Sequence, residues 1–167
     1  DEAYNAMEPF QWGDTSPLAD GFPTPSGKAR LIAVFAPAAE ECEHPFVLNT
    51  ARYRDQWHTM TRTGLSPTLS QHRREPLLEV HPLDGTAQGL SDGGLARVST
   101  ASGEALFRVR FDEGQRRGEI CSPMHWTDAL AGEGRANRLP GQEHDPHSGQ
   151  PGFKNTPAAV SPVLPEW

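Results

Sequence analysis

Apolar and polar positions alternate most regularly in "LARVSTASGEALFRVRFD", residues 95–112, on both sides of Ser102-Gly103. A period of two turns one face of a strand inward and the other to water, and Ser-Gly suits a tight turn, so this stretch predicts a β-hairpin. Elsewhere the apolar runs are short. "PFVLN" (45–49) follows a proline that bars a helix in mid-run, and predicts a buried strand delivering its C-terminal end to Asn49 and Thr50. "PLLEVHP" predicts a strand stopped by Pro82, and "GEICSPMHW" and "TPAAVSPV" predict two more. In "FPTPSGKARLIAVFA", Ser26-Gly27 signals a hairpin turn and Leu31–Phe35 a strand. "PLDGTAQGL" places proline where a first helical turn tolerates it and Leu83, Ala87 and Leu90 at near-helical spacing, which predicts one short helix closed by Gly89. "SDGG" then reads as a turn. Six or seven short strands with one or two short helices predict a mainly β fold, a closed or nearly closed barrel. Residues 1–20 are polar and broken by Pro9, Gly13 and Pro17, so they read as an extended N-terminal arm or linker that Gln11 and Trp12 dock; residues 21–167 make the barrel domain.

Composition sharpens this picture. The length of 167 residues suits one domain, and 16 glycines with 16 prolines favour loops and strands over a helical bundle. Net charge is -7, which excludes nucleic acid and anionic membrane as general partners and makes any anion binding local. Between Asn49 and Arg74 the sign reverses: Arg52, Arg54, Arg62, Arg73 and Arg74 face one acid, Asp55, so the segment is +4 and the remainder -11. Cys42 and Cys121 are the two cysteines, in no metal or disulfide pattern, and read as buried free thiols; Cys121, alternating with Ile120, reads as core. No apolar run approaches the ~18 residues of a membrane helix, and "DEAYNAMEPF" carries no export signal, which favours a cytoplasmic protein. The start without methionine fits a fragment of a larger chain.

The charge reversal centres on "NTARYRDQWHTMTRTG" (49–64), delivered by a strand end to a loop, where binding groups sit on a rigid scaffold. Arginine's planar fork matches phosphate oxygens in pairs, and threonine hydroxyls with backbone amides complete a shell around a pyrophosphate. Trp57 adds an apolar face and one N–H donor, as a flat heterocycle requires. A phosphorylated ligand fits these groups better than a metal. "EHDPH" sets His144 and His147 beside Glu143 and Asp145, but without further ligands at fixed spacing it reads as a polar loop. His81 before Pro82 reads as a cap or packing residue, and no serine lies in a Gly-x-Ser-x-Gly elbow.

"LNTARYRDQWHTMTRTG" resembles the opening of the C-terminal molybdopterin-dinucleotide-binding domain of the large molybdenum oxidoreductases, and "RDQWHTMTRTG" is most similar to the assimilatory nitrate reductases. The likeness continues in order through "GKARL", "HPLDGTAQGLSDGGLARVSTASGEA", "PMHWTD", "ANRL" and "DPHSGQPGFKNTP", covering roughly residues 22 to 160. It implies a double-psi β-barrel that binds bis-molybdopterin guanine dinucleotide with molybdenum, for reduction of nitrate to nitrite. By the same resemblance Thr50, Arg52, Trp57 and His58 contact the cofactor, with Gln56, Thr59, Thr61 and Arg62 beside them. His125 falls at the strand end near the pterin, and Asn137, Phe153 and Lys154 on later contacts. No residue here is implied to be catalytic or a metal ligand. The resemblance further implies an iron-sulfur cluster in the parent chain, and as partners the remaining domains of the parent catalytic subunit and an electron donor protein or reductase subunit. Formate dehydrogenase shares the barrel and is the nearer alternative; a non-enzymatic nucleotide-binding module is the more distant one. The chain departs from the family in carrying Ala51 where Thr-Gly-Arg is usual, and Leu139-Pro140 where threonine commonly follows leucine.

Overall fold

Six strands frame the computed structural model, which describes residues 2–8, 18–33, 35 and 44–164: β1 (Phe46–Ala51), β2 (Leu77–Val80), β3 (Leu95–Thr100), β4 (Gly103–Phe111), β5 (Glu119–Pro123) and β6 (Thr156–Pro162). The readings above for Gln11, Trp12 and Cys42 lie outside these residues. The strands close into a barrel in the order β1-β5-β2-β4-β3-β6. Closure leaves no open edge, so every strand gains ladder hydrogen bonds on both sides. β1 with β5 and β2 with β4 run parallel, and the remaining neighbours run antiparallel. The parallel pair β2–β4 is nested in sequence within the parallel pair β1–β5, and both are joined by crossovers, as in a double-psi barrel.

The interior follows from alternation. Leu48, Leu78, Val80, Ala96, Val98, Phe107, Val109 and Ile120 are buried and point inward. Burying each large side chain is worth roughly 1.5–3 kcal/mol. The hairpin forms as its pattern requires, with its turn at Ala101-Ser102; Gly103 already pairs with Thr100. Close approach demands this glycine, because a Cβ there would lie 3.0 Å from the Arg138 carbonyl oxygen. Alternation also corrects the reading of Cys121. Its neighbour Ile120 fills the interior, so Cys121 faces outward, half-buried, where burial and the Glu79 carboxylate push its thiol up to about 11. A thiol held so far above neutrality is a poor nucleophile.

The chain divides into two units, residues 1–40 and 41–167, and all six strands belong to the second. In the first, Leu31, Ile32, Ala33 and Phe35 lie outside any strand, against the expectation for Leu31–Phe35: no described strand offers them an edge. Ser26-Gly27 does sit in a turn, closed by the Gly27 N–H on the Thr24 carbonyl at 2.9 Å, but without flanking strands. Glu2–Asn5 forms one helical turn where an extended arm was expected; the turn holds no proline or glycine to break it. The helix predicted after β2 spans Pro82–Ala87, begins with the Leu83 N–H on His81 Nδ1 at 3.2 Å, and ends before Gly89 at φ 70. Further single helical turns, Pro67–Ser70 and Asp128–Ala131, occupy long connections. Among the described residues no helix is long and apolar enough to cross a membrane.

Strand direction decides what meets what. The parallel and antiparallel pairings place the C-terminal ends of β1, β3 and β5 at the same barrel end as the N-terminal ends of β2, β4 and β6. Residues 52–76, the hairpin turn and residues 124–155 therefore emerge together. The Pro82–Ala87 helix and the turn before β5 occupy the opposite end.

Candidate functional site

Every candidate residue lies on the connections that emerge at the first end, or on the β1 residues that lead into it. Thr50 is buried, and both its N–H and its hydroxyl donate to the Phe153 carbonyl, at 3.2 and 3.0 Å. Lys154 Nζ donates to the Thr50 carbonyl, and Asn49 Oδ1 accepts the Asn155 N–H at 3.1 Å. These bonds zip the strand end to residues 153–155, 103 or more positions away. A cleft of about 270 Å³ opens beside the zip, lined by Thr50, Ala51, Arg52, Met124, Gln150, Phe153 and Lys154.

Beyond Arg52 the loop folds by successive turns. The Gln56 N–H donates to the Tyr53 carbonyl at 3.2 Å, Met60 to Trp57 at 2.8 Å and Gly64 to Met60 at 2.9 Å. His58 and Met60 take left-handed backbone, φ 42 and 61. Non-glycine residues hold such angles only where the surroundings fix them. Three anchors do so. Met60 is buried; Gln56, also buried, accepts the Thr63 hydroxyl at 2.6 Å and donates to the Leu69 carbonyl at 3.4 Å; and the Thr63 hydroxyl accepts the Trp57 N–H at 3.2 Å. The third anchor is His125, fully buried, whose ring nitrogens both engage the loop backbone.

With the anchors turned inward, the donors remain outside. Arg52, Trp57, His58, Thr59, Thr61 and Arg62 are exposed, Trp57 at 60%, with the Trp57 and His58 rings edge-on at 4.4 Å. The Thr59 and Thr61 hydroxyls lie 3.2 Å apart. Neither Arg52 nor Arg62 makes a side-chain hydrogen bond or ion pair among the described residues, whereas Arg54 is held by Asp55 at 3.0 Å. Asn137, on a 3-10 turn over Ala136–Arg138, has a buried Oδ1 with no partner among the described residues. The exposed loop thus combines unpaired guanidinium donors, paired hydroxyls and a flat aromatic, groups an anionic heterocyclic ligand would use, while the orphan Asn137 acceptor is buried on another connection at the same barrel end.

The structure separates the sequence candidates by orientation. Thr50, Arg52, Phe153 and Lys154 meet in the cleft; Trp57, His58, Thr59, Thr61 and Arg62 crown the adjoining loop; Gln56 and His125 point inward as its supports. Tyr53, Met124 and Gln150 were not singled out, and Thr63 was read only as one of the loop's threonines. Tyr53 and Thr63 act through a backbone N–H and a short hydroxyl bridge, which no residue spacing discloses. "EHDPH" is a turn organiser: Asp145 Oδ1 accepts the His147 and Ser148 N–H groups and the Ser148 hydroxyl.

Comparison with known proteins supplies the family and the fold. Residues 46–157 match the family described as Molydopterin dinucleotide binding domain. The chain is 42% identical to a nitrate reductase of Klebsiella oxytoca over 99% of its own length and 20% of that protein's. It is 27% identical to the assimilatory nitrate reductase catalytic subunit of Bacillus subtilis (strain 168), over 87% and 21%. Among solved structures, acetylene hydratase from Pelobacter acetylenicus superposes with a TM-score of 0.72 over 88% of this chain and 25% of that one; at 20% identity this shows the fold. The chain spans about a fifth of the length of the curated relatives it matches.

Proposed function

The chain belongs to the molydopterin dinucleotide binding domain family, and on that premise we propose that its loop-bearing barrel end holds molybdopterin guanine dinucleotide for a molybdenum-dependent nitrate reductase. The observation that carries this reading is convergence. Motifs separated by a hundred residues or more arrive at one barrel end, and there Arg52, Arg62 and the buried Asn137 Oδ1 lack partners among the described residues. Buried polar atoms are paired in almost all native proteins, so an orphan acceptor at a donor-rich face supports a ligand that donates to it.

The residues fit the group. Arg52 and Arg62 suit the pyrophosphate oxygens, the Thr59 and Thr61 hydroxyls extend that shell, and the Trp57 face suits a flat ring system. Asn137 Oδ1 suits an N–H of the heterocycle. Lys154 and Thr50 fix the cleft wall that Phe153 completes. When bound, the group supplies molybdenum-centred oxygen-atom transfer, converting nitrate to nitrite; this chain's part is to bind, orient and shield it. The reading places the iron-sulfur cluster and the remaining metal environment in other domains of a parent catalytic subunit. An electron donor protein or reductase subunit then feeds it, in the cytoplasm.

Calorimetry with GDP, a surrogate carrying guanine and pyrophosphate, tests the site. Arg52→Ala should lose a charge-assisted contact worth about 1.5 to 3 kcal/mol, tenfold or more in affinity. Equal affinity in the variant would remove Arg52 from the site, and no detectable heat with the native protein would overturn the reading. In the loaded parent enzyme, formate oxidation without nitrite formation would move the assignment to the formate dehydrogenases.

A further inference from the structure

We propose that His125 is a positioning residue for the ligand loop: from inside the barrel end its imidazole fixes the backbone between Tyr53 and His58, and thereby sets how Trp57 and His58 face a ligand. The inference rests on the reading of that end as the ligand face, but its geometry stands by itself. His125 is fully buried two residues beyond β5. Its Nε2 accepts the Tyr53 N–H at 2.8 Å, and its Nδ1 lies 2.6 Å from the His58 carbonyl oxygen. A backbone N–H only donates and a carbonyl only accepts, so the two contacts admit one state: a neutral ring with its proton on Nδ1. The rigid imidazole holds these two loop atoms at a set separation.

The loop needs that hold at the place where it is applied. His58 stands at φ 42, and the bond from Nδ1 falls on the carbonyl of that same residue. The Trp57 ring leans edge-on against the His58 ring, so a change at His58 moves the aromatic face as well. The groups around the imidazole favour its neutral form: burial foremost, then the Arg52 and His58 charges, lower its proton affinity against the opposing bond to the His58 carbonyl. Tyr53 and Trp126 pack beside it, with ring centroids at 6.2 and 6.4 Å. Protonation would place a second donor against the Tyr53 N–H and break one of the two ties.

The test combines a spectroscopic signature with partial rescue. In the native protein, nitrogen NMR of the His125 ring should show a protonated Nδ1 and a bare Nε2 at neutral pH; a proton on Nε2 overturns the proposal. His125→Leu removes both ties, His125→Gln keeps an acceptor for Tyr53, and His125→Asn keeps a donor for His58. The leucine variant should speed Tyr53 amide exchange and weaken GDP binding, each about tenfold or more, and leave hairpin exchange at 95–111 unchanged. Glutamine should restore Tyr53 protection, and both amides should recover part of the affinity. Unchanged Tyr53 exchange and GDP affinity in the leucine variant would overturn the proposal. If the native protein fails to bind GDP, the ligand reading falls while Tyr53 exchange still decides the positioning; if the leucine variant fails to fold, the native ring spectrum decides.

Discussion

At Ala51, where the family resemblance implies glycine, the backbone is free of left-handed geometry: the residue ends β1 paired with Pro123, and its carbonyl accepts the Met124 N–H at 3.0 Å. Glycine there would relieve no strain and would loosen a strand, so Ala51→Gly should lower stability by about 0.5–1 kcal/mol. A rise in the urea midpoint would show that the methyl is strained after all. His125 makes a residue-scale prediction in pH. Its folded value lies below that of an unfolded imidazole, about 6.5. Between those two values the unfolded chain binds more protons, so this contribution is complete above about pH 6.5 and is lost as pH falls toward the folded value. Native protein should therefore have a lower urea midpoint at about pH 5.5 than at about pH 7.5, and His125→Gln should shrink the difference. Asp84 and Asp145 act in a separate, more acid window. At Asp84 burial is outweighed by the Gly118 N–H and Arg117, and at Asp145 the Ser148 bonds lead; both carboxyls end below their ordinary range. An equal midpoint difference in the glutamine variant would take His125 out of the account.

Elements at the far end of the barrel hold the framework that aims the site. The Pro82–Ala87 helix crosses the end of β4 so closely that a Cβ on Gly85 would overlap the Phe111 ring, and Asp84 ties the helix to Gly118 and Arg117. Gly85→Ala should destabilise by about 1–3 kcal/mol through overpacking, and pairing it with Phe111→Ala should recover part of that loss. Strict additivity of the two substitutions in urea denaturation would contradict the contact. This helix, the hairpin and the strands from β1 to β6 were legible because each rests on a local pattern: alternation, a proline at a first turn, a glycine at a helix end. Single helical turns such as Asp128–Ala131 were not, since four residues span barely one turn of about 3.6 residues and cannot show the period repeating. Leu31–Phe35 shows the converse, an apolar pattern that becomes a strand only if a neighbour pairs with it. The site divides in the same way. Arg52, Trp57 and Lys154 were legible as donors and a flat face, whereas the inward roles of Gln56 and His125 depend on hydrogen bonds made 7 to 72 positions away.

For the whole molecule, the barrel and its ligand face differ in how firmly they are held. The barrel closes on its own strands and needs none from a partner, so the chain is expected to fold by itself. The hairpin from Leu95 to Phe111 is paired on both sides over much of its length, by β2 and β6 as well as within itself. The exposed loop is tied at separate points, through Tyr53, Gln56, Trp57, Met60 and Gly64. Amide exchange should then be slow from Leu95 to Phe111, intermediate at those tied loop amides, and fast at Arg52, Thr59, Thr61 and Arg62. Uniform protection across both segments would mean that the loop is part of the cooperative core and not a face awaiting a ligand. The same chain should produce no nitrite from nitrate with a reduced dye as donor. Its sequence holds two cysteines, too few for the four thiolates of an iron-sulfur cluster, and the proposed function assigns the metal's remaining environment to other domains. Measurable nitrite from the purified chain would place the chemistry inside this barrel and overturn the division of labour between a domain that holds the cofactor and the domains that use it.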